Sequence, residues 1–170
     1  MRRGLALFLL CLAWVSAPSA QAETMHGVII VVVDGDTVLF KPDHAHTSGR
    51  TFLKVRLAGI DAPETDQPYG DAATRELAAR VLNRRVAVTS VATDVYGRTI
   101  AHIQVAGHEV GTELVQSGFA WAAARSRHTA KLAVAQRQAR LDQRGLWQGA
   151  APVPPWEWRR THPKGEPNRF

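Results

Sequence analysis

The apolar positions of this chain fall into two kinds of pattern, and together they predict a strand-rich domain with a few helices. Val28 to Val33 is an unbroken β-branched run, the pattern of a strand buried on both faces. It stops at Asp34-Gly35-Asp36, an Asp-Gly signal for a tight hairpin whose central residues favour positive φ. Thr37 to Lys41 then pairs back along the first strand. In Thr51 to Leu57 the pattern alternates, so Leu53, Val55 and Leu57 share one face and Lys54 and Arg56 the other. Val86–Val91 and Thr99–Val105 are two more strands, joined by the turn Asp94 to Arg98. Helical spacing appears three times. Asp71 is placed to cap a helix that runs to about Asn83, with Ala73, Leu77 and Val81 as its apolar stripe. His108–Gln116 is helical and stops at Gly118, with Val110 and Leu114 one turn apart. Thr129–Arg144 is the third helix, followed by Gly145 and the apolar pair Leu146-Trp147 as its C-terminal cap. Pro42–Arg50 and Gly59–Gly70 are loops by composition.

Five strands with a helix between the third and fourth predict an α+β, mainly β fold: a five-stranded OB-type barrel with three helices, an architecture suited to oligonucleotides. The domain is expected over residues 23–150, with a Pro/Trp-containing tail at 151–170. Pro152 to Pro155 interrupts regular structure, and Trp156 to Arg160 either folds back on the domain or stays mobile. Neither repeats nor low-complexity stretches divide the chain.

The first 22 residues belong to targeting. Arg2 and Arg3 form a basic head, Leu5–Val15 an apolar run too short to span a bilayer, and Ala20-Gln-Ala22 offers small residues where a signal peptidase reads. Leu10 stands before Cys11 where a lipoprotein would have a small residue. Cleavage after Ala22 and export to the periplasm or medium are expected, with no stable membrane association afterwards. Cleavage removes the single cysteine, so the mature chain has no disulfide. It also leaves 19 of the 21 basic residues against 15 acidic ones, a net +4 in place of +6. That excess weakly favours an anionic partner, either nucleic acid or a membrane surface. With no dimerisation stripe, a monomer is expected. The four basic residues Lys131, Arg137, Arg140 and Arg144 read as a solvated helix face. His44 and His46, a single His-x-His in a loop, read as solvated side chains rather than a metal pair.

Candidate chemistry lies in an ordered set of short motifs. Asp34-Gly-Asp-Thr37, Val55-Arg-Leu57, Asp61-Ala-Pro-Glu64, Asp94-Val-Tyr-Gly-Arg98, Glu113 to Ala120 and Gly145-Leu-Trp147 follow one another along the chain. This set resembles the staphylococcal nuclease family over roughly residues 26–148. Water attack on a phosphodiester builds negative charge on the phosphoryl oxygens, so cations are required. The resemblance implies calcium held by the carboxylates of Asp36 and Asp61 and the backbone carbonyl of Ala62. It implies Glu64 as general base, Arg56 and Arg98 as catalytic phosphate clamps, and Tyr96 as a contact to phosphate or sugar. Asp34 and Thr37 would be supporting residues, Asp34 equally well a turn former. Substrates would be DNA and RNA, cleaved to 3′-phosphate products. The chain departs from the founding member in having Ala62 for a threonine, and Ala124 and Ser126 where that enzyme's tyrosines flank the base. Its loop after Glu64 is shorter and its loop at Pro42–Arg50 longer. Trp121, near the missing tyrosines, points to the opposite face from Ala124 and is expected to be buried. Two other readings are a non-catalytic OB module that binds nucleic acid and a secreted calcium-binding protein. The joint presence of Asp36, Arg56, Asp61, Glu64 and Arg98 favours the enzyme over both.

Overall fold

The computed structural model describes residues 23–44, 49–123, 129–149 and 151–163. The targeting segment, His46, Ala124 and Ser126 lie outside the described residues. In chain order the strands are β1 (Thr24–Asp34), β2 (Thr37–Pro42), β3 (Leu53–Leu57), β4 (Ile60–Asp61), β5 (Arg85–Thr93), β6 (Thr99–Val105), β7 (His108–Glu109) and β8 (Trp121–Ala122). The helices are α1 (Gly70–Val81), α2 (Val110–Gln116), α3 (Thr129–Leu141) and α4 (Pro155–Thr161), with a 3-10 turn at Gly145–Gln148.

Strand β1 pairs antiparallel with β2 on one edge and β5 on the other; β2 pairs with β3 and β5 with β6, also antiparallel. Parallel pairing of β3 with β6 joins the two ends, so these five strands close into a barrel without open edges. The expected OB-type barrel is present, with β7 as a short extension of β6 and a separate two-residue ladder between β4 and β8. Ile29, Val38, Phe40, Val55, Val88 and Ile103 fill the barrel, all with 0% exposure. Burying a side chain such as Phe40 contributes about 1.5–3 kcal/mol. Leu77 and Val81 of α1 and Leu114 of α2 cover the barrel from outside and join the same core. Leu53, Val55 and Leu57 are buried as the alternation requires.

Several details differ from the sequence pattern. Val31 and Val33 are exposed, so the apolar run of β1 is not buried on both faces. Only one face of a barrel strand points inward, and irregular register between Ile29 and Val31 and between Val32 and Asp34 bends its end away. Gly35 does not use the left-handed region. Its hydrogen side chain is needed because a Cβ there would come within 2.7 Å of the Ala62 Cβ and 2.9 Å of the Ala73 Cβ. Asp71 is not the cap of α1 but lies in its first turn; the cap is Tyr69, at φ 71° with no side-chain hydrogen bond. His108 and Glu109 are strand rather than helix, and the Glu109 carboxylate caps α2 through the N–H groups of Gly111 and Thr112. Helix α3 ends at Leu141, and Gly145 opens the 3-10 turn instead of capping it. Lys131, Arg137, Arg140 and Arg144 are exposed as expected, with Arg140 stacked over Trp147. Trp121 is buried, edge-on to Trp147.

The largest difference is in the tail. Among the described residues there are four helices rather than the expected three, because Pro155 starts a helix instead of interrupting regular structure. Its ring fits the first helical turn, where a missing N–H costs nothing.

Candidate active site

Strand register brings the first two groups together. Thr37 at the start of β2 lies opposite Arg56 on β3, so Asp36, one residue earlier in the turn, reaches the Arg56 guanidinium. Arg56 Nη1 donates to Asp36 Oδ1 at 2.5 Å and Nη2 to Asp61 Oδ1 at 2.8 Å. One planar guanidinium thus bridges two nearly buried carboxylates, Asp36 with 3% and Asp61 with 7% exposure. Asp36 also accepts from Thr37 Oγ1 at 2.9 Å and from the backbone N–H of Ala62 at 3.1 Å. Thr37 and the Ala62 backbone thus both lie against the Asp36 carboxylate. Asp34 accepts from the Asp36 N–H at 3.0 Å, the turn-forming bond of an aspartate two residues upstream.

Burial pushes the Asp36 carboxyl up to about 7, with Asp34 and Asp61 adding to the rise and Arg56 opposing it. Arg56 loses hydration, yet the charges of Asp36 and Asp61 keep its proton bound more firmly than usual. The pair is mutually dependent, since removing either partner leaves a charge with little water around it.

Glu64 stands at the rim on the loop between β4 and α1. Its backbone N–H donates to Gln67 Oε1 at 3.1 Å, and Gln67 in turn donates to the carbonyl of Val153 at 2.6 Å. Gly70 closes this loop. A Cβ at that position would lie 1.9 Å from the Glu64 carbonyl oxygen, so only glycine lets the loop pass.

Arg98 and Tyr96 approach from the β5–β6 turn. Asp94 organises this turn by accepting from the N–H groups of Tyr96 and Arg98 and from Arg98 Nε at 2.7 Å. Partial loss of hydration acts upward on Asp94, but these donors together hold its carboxyl below the usual range. Because the bond to Asp94 uses Nε, Arg98 keeps both terminal nitrogens for a ligand among the described residues. Tyr96 is largely exposed, its ring 5.5 Å from the Arg98 guanidinium carbon.

These groups line one open cleft of about 630 Å³, bounded by Lys54, Arg56, Glu64, Tyr96, Arg98, Arg159 and His162. Asp36 and Asp61 are hydrogen-bonded to Arg56, one of the residues that line it. The structure therefore brings together Asp36, Arg56, Asp61, Ala62, Glu64, Tyr96 and Arg98 from four separate stretches of chain. Among the described residues, no cluster of three or more His, Cys, Asp or Glu side chains converges. A cation here would have two carboxylates, with a backbone carbonyl and water completing its oxygen shell, a donor set that suits a hard divalent ion.

Sequence reasoning missed Arg159. From α4 its Nη1 donates to Asp61 Oδ1 at 3.1 Å and Glu64 Oε1 at 2.9 Å, and its Nη2 to Asp61 Oδ2 at 2.7 Å. These hydrogen bonds, those to Asp61 first, outweigh partial burial and raise its pKa further. The one available signal was proline ahead of Trp-Glu-Trp-Arg-Arg, a proline-started helix with basic residues in its last turn.

Comparison with known proteins identifies the family. Residues 54–149 match the family described as staphylococcal nuclease homologue. An uncharacterized endonuclease of Escherichia coli O157:H7 is 36% identical over 160 residues, covering 94% of this chain and 98% of that protein. An uncharacterized endonuclease of Haemophilus influenzae is 33% identical, covering 92% of this chain and 84% of its own length. The micrococcal nuclease of Shigella flexneri is 34% identical, with 79% of this chain and 80% of that protein covered. A closed five-stranded barrel with these acids and arginines gathered in one cleft, and a family match over more than half its length, make this chain a member of the staphylococcal nuclease homologue family.

Proposed function

We propose that this protein is a calcium-dependent nuclease that hydrolyses phosphodiester bonds of DNA and RNA in the 630 Å³ cleft. The protein is a hydrolase of its family, and the observation that carries the reading is the Arg56 bridge. It joins Asp36 and Asp61 through a guanidinium that lines the same cleft as Glu64 and Arg98. Asp36, Asp61 and the Ala62 carbonyl would hold calcium, which when bound supplies positive charge to the phosphoryl oxygens. Arg98, whose bond to Asp94 uses Nε, can donate two parallel hydrogen bonds to the phosphate. Arg56, held by Asp36 and Asp61, binds it through the N–H groups not directed at those acids. Glu64 takes the proton of the attacking water, an arrangement that needs hydrogen-bond reach more than a shifted pKa. Tyr96, at the cleft edge, contacts phosphate or sugar. Cleavage leaves 3′-phosphate ends. Export after cleavage at Ala22, and action as a monomer, belong to the same proposal. Among the described residues no helix is long and apolar enough to cross a membrane.

The test is incubation of the protein with single-stranded DNA in calcium or in a chelator, alongside Glu64→Gln. Calcium-dependent cleavage that falls at least about a hundredfold in the variant is the expected result for a lost general base. Salt-sensitive binding with no cleavage would make this a nucleic-acid-binding module instead.

A further inference from the structure

Helix α4 carries a cation into the centre of the proposed site. Arg159 holds both oxygens of Asp61 and one of Glu64, a proposed metal ligand and the proposed base. A divalent ion at Asp36 and Asp61 would need Asp61 oxygens that Arg159 already occupies. It would also add two positive charges where Arg56 and Arg159 together place two. Arg159 also donates to Glu64 Oε1, so it competes with the attacking water for the same carboxylate. We propose that α4 is an autoinhibitory strap, in which Arg159 competes with calcium for Asp61 and masks Glu64 until the helix withdraws.

The way α4 is attached suits release. It has seven residues and follows a proline-rich connection. Its Trp158 lines an open cavity of about 240 Å³ shared with Gln67, Tyr69, Trp121 and Leu146. The buried Trp158 Nε1 has no hydrogen-bond partner among the described residues. An open cavity beside Trp158 gives the indole fewer packing partners, which weakens docking. Polar attachment runs through Gln67, which bonds the Val153 carbonyl with its amide nitrogen and the Glu64 N–H with its amide oxygen. The strap is therefore tied to the same loop that carries the base, and its release would free that loop as well.

This inference rests on the calcium site of the proposed function, and its test separates the two. Arg159→Ala and Arg159→Gln are compared with wild type and with Arg160→Ala, an exposed neighbour paired with Glu157 at 3.9 Å. Calcium affinity is measured by calorimetry without nucleic acid, and cleavage is measured across a calcium titration. Both Arg159 variants should bind calcium about tenfold more tightly, a coupling in the usual range for linked sites. They should also reach half-maximal cleavage at correspondingly lower calcium, while Arg160→Ala follows wild type. Calcium affinity unchanged or weakened in both Arg159 variants overturns the strap, as does the absence of calcium binding in every variant. Reduced cleavage by both at saturating calcium also overturns it, because Arg159 would then serve the substrate. Tighter calcium binding with no cleavage by any variant would keep the strap and remove the nuclease reading alone.

Discussion

At the scale of single residues, the site depends on close approaches that leave no room for a side chain. Gly70 passes beneath the Glu64 carbonyl, and a Cβ there would meet that oxygen at 1.9 Å. Backbone on both sides makes relief by rotamer change impossible, so Gly70→Ala must move the loop that holds Glu64. A cost of about 1–3 kcal/mol is expected for overpacking at such a contact. Cleavage should fall by more than the stability loss explains, through kcat rather than KM, because binding groups on β3 and the β5–β6 turn stay in place. Steady-state kinetics with a urea titration checks both; a variant as active and as stable as wild type would refute the constraint. Asp34, Asp36 and Arg56 are legible from the sequence because adjacent strands place them. The contact under Gly70 is not, since it joins a loop to a helix start whose spacing no periodicity reports.

The elements show the same division. Strand β3 follows directly from alternation and β2 from the Asp-Gly turn before it, whereas α2 starts at Val110 rather than at His108. Glu109 explains the difference, accepting from the Gly111 and Thr112 N–H groups and facing His102 at 3.5 Å. Burial acts to raise the Glu109 pKa, but His102 and Thr112 outweigh it and hold the carboxyl below its ordinary 4.5. A depressed acid pKa stabilises the fold above the unfolded value, and that contribution disappears as pH falls through the folded value. Glu109→Ala should therefore cost about 1 kcal/mol at pH 7, typical of a lost helix cap. The gap from wild type should close as pH drops below 4.5. Chemical denaturation of both proteins from pH 3 to about pH 7 tests this; a gap that widens in acid would mean Glu109 does not act as a charged cap. Glutamate is not among the favoured cap residues, so sequence preferences point past it.

For the whole molecule, the decisive quantity is where the charge sits rather than how much there is. The net charge of +6 is modest for 170 residues, yet Lys54, Arg56, Arg98 and Arg159 all face one cleft. A single strand bound through about three phosphate contacts should lose affinity with a log–log salt slope of about −2. Fluorescence anisotropy with labelled DNA, in chelator to prevent cleavage, measures it. A slope near zero would place the nucleic-acid surface elsewhere. Arg98→Ala in the same assay should flatten the slope by about 0.7, the share of one phosphate on single-stranded DNA.

By itself the sequence determined the barrel strands, the covering faces of α1 and α2, and the order of motifs that signals the family. Those features arise from local periodicity and turn chemistry, which adjacent residues express without help. Only the tertiary structure decided that Arg56 bridges Asp36 to Asp61, and that one cleft receives residues from β3, the loop after β4, the β5–β6 turn and the tail. It also decided the fate of Trp156 to Arg160, open between a mobile tail and a folded one. Arg159 reaches Asp61 across almost a hundred residues of chain, and a contact of that separation leaves no mark in spacing. It exists because a short proline-started helix seats Trp158 in a cavity shared with Trp121, which sets a guanidinium over the carboxylates of Asp61 and Glu64.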